Sequence, residues 1–145
     1  MKRLVRPLAD DRGGAAVEMA LTITAFILLL LGGLDYGFYL WTANALQQTA
    51  SRTARCMGVL QTNCSVARAY NASNTTAFAE QVGAGYGLAL TAANITLSTA
   101  TSCGGQGSNN AKVTISYTFV GMSAGLMPGV NGAMSAQACF PSQAA

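Results

Sequence analysis

A chain of 145 residues with 51% hydrophobic and only 9% charged side chains falls far short of the roughly one-quarter charge content of an ordinary soluble domain, so its composition points to a membrane-anchored chain. The net charge is +3, and the eight basic residues fall in two sets, Lys2, Arg3, Arg6 and Arg12 and, much later, Arg52, Arg55, Arg68 and Lys112, leaving no basic patch dense enough to hold nucleic acid. With an apolar N-terminal stretch set aside, roughly a hundred residues remain, which suits one small core and no second domain.

The first element runs from Ala15 to Leu34, AAVEMALTITAFILLLLGGL, with Glu18 as its single charge. At the standard helical rise this stretch covers about 30 Å, the thickness of a bilayer's hydrocarbon core. Tyr36, Phe38, Tyr39 and Trp41 follow at once, either as interfacial aromatics or as packing residues of a continuing helix. Four basic residues precede the span and the first one beyond it is Arg52, so the positive-inside rule places the N-terminus in the cytoplasm and the remainder outside. A cleaved secretory signal is the competing reading, with Met1 to Arg12 as basic region, Met19 to Leu34 as apolar region and Ala43-Asn44-Ala45 as cleavage site, which would release a soluble product. The length of the apolar run, the bulky aromatics before that site and the carboxylate of Glu18 all weigh against it.

Beyond the span, Ala43, Leu46, Ala50, Ala54 and Met57 recur at spacings of three and four, with Asn44, Gln48, Ser51, Arg52 and Arg55 on the other side, so the helix is expected to continue to about Met57. Gly32, Gly33 and Gly37 interrupt it at the outer leaflet, where they permit close helix packing or a hinge, packing being the favoured reading. Arg52 and Arg55 read as a solvated face. After a polar, turn-like segment from Cys64 to Ser73, a short second helix is expected from Thr75 to about Gly85, with Phe78 and Val82 on one face. Ile95 and Leu97, then Val113, Ile115, Tyr117 and Phe119, and more weakly Met134, Ala136, Ala138 and Phe140, alternate with polar or small residues. That period of two predicts three antiparallel strands resting on the long helix, with Gly104 to Asn110 as a loop between the first two. Gly121 to Gly132, with Met122, Leu126, Met127 and Val130, reads as an apolar loop that either meets a partner or closes the core.

Cys56, Cys64, Cys103 and Cys139 all follow the span, an even number on the side of an oxidising compartment. Closely spaced ligand pairs and histidine are missing from the sequence, so neither a metal centre nor any other cofactor is expected. Four buried free thiols are the plainer alternative to disulfides. Of the three possible pairings, Cys56–Cys64 with Cys103–Cys139 is expected, the first closing a short loop and the second tying the last strand back. Geometry objects to the second bond if the middle strand lies between its partners, since bridged Cα atoms sit within about 7 Å. An enzyme is not expected: there is no histidine, and the acids beyond the span, Asp35 and Glu80, are far apart in sequence.

Arg12-Gly13-Gly14-Ala15-Ala16-Val17-Glu18-Met19 puts a glycine pair and small residues before an acid in an apolar helix. Such an acid is costly in lipid and so a functional candidate, although it can also snorkel to the interface or favour the positive helix end. The segment resembles the processing site of class IV prepilins, cut after a glycine by a membrane aspartyl peptidase and carrying glutamate as the fifth mature residue; here that implies cleavage between Gly13 and Gly14. Gly33-Leu34-Asp35-Tyr36-Gly37, Asn44-Ala45-Leu46 and Ala50-Ser51-Arg52-Thr53-Ala54-Arg55 extend the likeness, and the chain is similar to the TadE family, pseudopilin-like minor subunits of the tight-adherence (Flp/Tad) pilus system. Met19 departs from the tyrosine or phenylalanine common after that glutamate.

The resemblance implies a cytoplasmic leader at 1–13, a transmembrane and stalk helix at 14–57 and a disulfide-bonded extracytoplasmic domain at 58–145, an α+β, pilin-like fold. It implies a structural subunit in the assembly, initiation or tip of the pilus. Its partners would be a prepilin peptidase, other major and minor pilins, the inner-membrane assembly platform and the membrane itself. Glu18 would neutralise the new Gly14 amine, on its own chain or on a neighbour, because an uncompensated buried ion costs several kcal/mol. The alternatives are the secreted binding module already described and a membrane-anchored adhesin.

Overall fold

The computed structural model describes residues 12–104, 106–122 and 132–142. Helix α1 occupies Arg12–Gly58 and is followed by two short strands, β1 (Ser65–Val66) and β2 (Ala69–Tyr70), then helix α2 (Ala72–Gly85) and a 3-10 turn at Ala92–Asn94. The strands β3 (Ile95–Cys103), β4 (Gln106–Phe119) and β5 (Gly132–Pro141) follow, so among the described residues the architecture is α+β with a long N-terminal helix, a second helix and a three-stranded antiparallel sheet.

The outer half of α1 folds as its spacing dictates. Ala45, Leu46, Ala50, Ala54 and Met57 are buried, and Asn44, Gln48, Ser51, Arg52 and Arg55 are exposed. Thr49 and Thr53 also lie on the buried face, with no exposure at all, and each hydroxyl donates at 2.8 Å to the carbonyl four residues earlier, so neither is left unsatisfied. Strands β4 and β5 lie against this face, α2 packs against the same helix, and β3 takes the sheet edge farther from α1.

The sheet register matches the period-two reading. Ile95 stands opposite Ile115 and Leu97 opposite Val113, while Ile115 faces Ala136, Val113 faces Ala138 and Tyr117 faces Met134. Same-face apolar residues thus stack across three strands, which is how a one-sided sheet hides its inner surface. The expected loop at Gly104 to Asn110 needs correction, because Gln106 to Asn110 belong to β4 and pair with the end of β3. Most of this hairpin tip is exposed, so it carries no alternating apolar signal to read.

Strand β4 does lie between the two cysteine-bearing strands, yet Cys103 and Cys139 are bonded, with Cα atoms 6.4 Å apart. Two in-plane strand spacings would total about 9.5 Å, so the tip has to leave the plane of the sheet. It does so at register shifts between Ser98 and Thr101 and between Thr101 and Cys103, where Ala100 takes a φ of 55°. Asn110 clasps the bent tip by donating to the Thr101 carbonyl at 3.1 Å and to the Gly107 carbonyl. The other bond, Cys56–Cys64, closes the end of α1, where both half-cystines are fully buried.

The turn-like segment after Cys64 is a miniature hairpin, reversed through Ala67 and Arg68 at φ of 50° and 64°. Burial raises the Tyr70 phenol above its ordinary pKa. Asn71 then caps α2, its side-chain oxygen accepting from the Asn74 amide at 2.9 Å. The inward seam of α2 is Thr75, Ala79 and Gly83, while Phe78 and Val82 are half-buried. Small residues form the seam because the neighbours come so close: a Cβ on Gly83 would fall 2.6 Å from Leu90 Cδ1.

Gly58 is tighter still, since a Cβ there would sit 2.5 Å from Phe140 Cδ1 and 2.8 Å from the Pro141 carbonyl oxygen. Gly58→Ala is expected to destabilise the domain by about 1–3 kcal/mol through overpacking, read as a lowered denaturant midpoint. Gly83→Ala should lose less. Its obstacle is the movable end of a leucine side chain, and alanine contributes up to about 1 kcal/mol of helix propensity in return.

Candidate functional site: a solitary carboxylate and a glycine groove on the exposed helix

Among the described residues, nothing covers the membrane-length part of α1. Residues 13–30 are all exposed, including Val17 at 60%, Leu21 at 70% and Leu29 at 78%. Gly13 and Gly14 lie in the first turn, and a Cβ on either would meet nothing within 4 Å. Thr22 and Thr24 donate their hydroxyls to the carbonyls of Glu18 and Ala20, at 2.8 and 2.7 Å, so their polar atoms need no outside partner. Glu18 differs. It stands exposed as the only ionisable side chain between Gly13 and Leu34, and in an apolar medium its charge has to be met by another group or carried to the interface.

One helical span further on, the missing side chains of Gly33 and Gly37 leave a groove of about 280 Å³, walled by Leu34, Phe38 and Trp41. Neither glycine has anything within 4 Å of a would-be Cβ, and α1 runs through Gly32, Gly33 and Gly37 without a break. The space therefore serves no packing among the described residues and is open to a close-approaching helix. Gly33→Ala and Gly37→Ala should each raise the helix stability of the isolated chain by up to about 1 kcal/mol. If the groove seats another helix, the same changes reduce cross-linking between subunits, so thermal unfolding and cross-linking should move in opposite directions.

The structure adds a residue that the sequence left ambiguous. Asp35 is 1% exposed, and the Met122 backbone amide donates to its Oδ1 at 2.9 Å. Asp35, Tyr39, Thr42, Leu46, Thr49 and Thr53 continue one stripe at spacings of three and four, so carrying the apolar repeat backward from Leu46 would have revealed it. Tyr39 packs edge to face on Phe119, with centroids 5.8 Å apart, and the sheet's end is thereby tied to the helix just past its apolar stretch. A cavity of about 420 Å³ lies here among Asp35, Phe38, Trp41, Tyr86, Tyr117 and Met122. Arg52, expected as a solvated charge, also lies over the Tyr86 ring at 5.6 Å from its centroid.

Among the described residues no group of three or more His, Cys, Asp or Glu side chains could hold a metal ion. The apolar loop expected from Gly121 to Gly132 falls at residues 123–131 outside the described residues. Residues 13–55 match the family model of the TadE-like proteins, a segment that contains the glycine pair, Glu18, the groove and Asp35. No curated protein and no solved structure matches the chain.

Proposed function

From residues 13–55, which form a TadE-like helix, we propose that this chain is a minor pilin or pseudopilin of the tight-adherence (Flp/Tad) pilus system, a structural subunit and not an enzyme. Its N-terminus lies in the cytoplasm, α1 crosses the inner membrane once, and the disulfide-bonded domain occupies the periplasm. A prepilin peptidase cuts between Gly13 and Gly14, and the subunit then packs with other pilins and the assembly platform through its helix.

The observation that carries this reading is the solitary Glu18 on an exposed helical surface that its own chain leaves uncovered. A carboxylate in that setting is tolerated when a countercharge is brought to it, and the amine freed at Gly14 would lie one helical turn away, about 6 Å along the axis. The oxidising periplasm suits the two disulfides.

Release by signal peptidase fits the packing poorly. Cleavage at Ala43 to Ala45 would discard Asp35, Tyr39 and Thr42, and would leave a new end beside Leu46, which is 1% exposed in the core. The deciding experiment is the N-terminal residue of the protein recovered from its native membrane. Gly14 supports the proposal, an end near Leu46 or Gln47 supports secretion, and an uncut leader reduces the chain to a plain anchor.

A further inference from the structure

The end of strand β4 stands at a defined depth along the span. Ala15 and Asp35 are separated by about 30 Å of helix, so if α1 crosses the bilayer, Asp35 lies where hydrocarbon gives way to headgroups. The Met122 amide is fixed to the Asp35 carboxylate at 2.9 Å and therefore shares that depth. Met122 and Val120 are nevertheless 69% and 67% exposed, and on the helix beside them Phe38 and Trp41 are 50% and 61% exposed. Four large, exposed apolar side chains thus line one cavity at the level where amphipathic aromatics sit in membrane proteins.

We propose that this edge of the folded domain, Val120 and Met122 together with Phe38 and Trp41, rests in the headgroup layer of a phospholipid bilayer, with Asp35 as the residue that positions it. The inference rests on the reading of α1 as a membrane span and adds to it that the domain is seated on the lipid surface. Asp35 itself is covered by the domain, so its carboxylate is kept out of lipid while its oxygen holds the β4 end down against the helix. The chemistry selects lipid because the edge is apolar, carries no charge of its own beyond the covered Asp35, and is continuous with the uncovered helix below it.

The test uses the full chain in vesicles of phosphatidylethanolamine and phosphatidylglycerol, with Trp41→Phe removing the one native tryptophan. Tryptophan is then introduced singly by Met122→Trp, Val120→Trp or Leu28→Trp. Lipids brominated near the headgroup or near the chain end report its depth. At 120 and 122, shallow bromines should quench roughly twofold more than deep ones, whereas Leu28→Trp should show the reverse order. If Leu28→Trp is quenched deeply while both edge positions respond only to aqueous iodide, the seating is wrong and the span stands, and the edge then faces water or a protein. If Leu28→Trp escapes every lipid quencher, the span itself fails and takes the proposal with it. Asp35→Ala should abolish shallow quenching at Met122→Trp; unchanged depth would overturn the positioning role. Should that variant misfold, seen as loss of the two disulfides by mass, the Val120→Trp result alone decides the seating.

Discussion

Glu18→Ala is expected, on the proposed pilin reading, to leave membrane insertion intact while lowering incorporation into the pilus or its initiating complex by about two to three and a half orders of magnitude. The size follows from what remains: breaking a buried pair by removing one partner leaves the other charge uncompensated, at about 3–5 kcal/mol, and each 1.4 kcal/mol is a factor of about ten. Insertion should not suffer, because deleting a carboxylate from the span removes an unfavourable transfer. Glu18→Gln separates charge from shape. It should fail nearly as badly as alanine if neutralisation of the Gly14 amine is the reason, and should assemble if hydrogen bonding is enough. Protease accessibility of the outer domain measures insertion, and cross-linking to other pilin subunits with counts of pili measures assembly. Normal piliation in the alanine variant would end the proposed role.

The second large effect concerns the hairpin staple. Replacing Cys103 and Cys139 together by alanine should lower domain stability by about 4 kcal/mol on a chain-entropy argument, because the bond closes a loop of 36 residues. The corresponding change at Cys56 and Cys64 closes only 8 residues and gives roughly 2.5 kcal/mol by the same argument, with a further loss for two fully buried sulfur atoms. Alanine is the better probe at the buried pair, since serine would bring in hydroxyls with no assured partner. For a small domain with a total stability of roughly 5–15 kcal/mol, loss of either bond is a large fraction and loss of both leaves little folded protein. Denaturant unfolding in detergent checks this, and an unchanged midpoint for the Cys103, Cys139 double variant would contradict the loop-closure account.

What the sequence announced and what it hid follow from how each element is buried. Leu46, Ala50, Ala54 and Met57 could be assigned to the core from spacing alone because one face of α1 is covered and the other is wet. The strands were equally legible where they lie on the helix, with Ile95, Val113, Ile115 and Phe119 all buried. Gln106 to Asn110 were not, since Gly107 to Asn109 are exposed and the one buried side chain there, Asn110, is polar. In α2 the spacing of Phe78 and Val82 marked the helix, and the structure adds that the fully buried seam is the small one of Thr75, Ala79 and Gly83, with Leu90 approaching Gly83 closely. The role of Asp35 was not legible, because only the fold brings a backbone donor 87 residues away against its carboxylate. Glu18 was legible for the opposite reason, being an acid in a surface otherwise free of charge.

The position of Cys139, just inside the end of β5, also fixes how this domain behaves under tension. A pull on the last strand from its C-terminal side can peel only the residues after Cys139 before the force passes through a sulfur-sulfur bond into Cys103. The 36-residue separation enclosed by that bond cannot lengthen, nor can the 8-residue separation at the foot of the helix. Load is thus shunted past β4 and nearly all of β5 along covalent links, so a domain pulled this way would extend first in the segment between Cys64 and Cys103, with β3 peeling from β4 while the β4–β5 pairing carries no force.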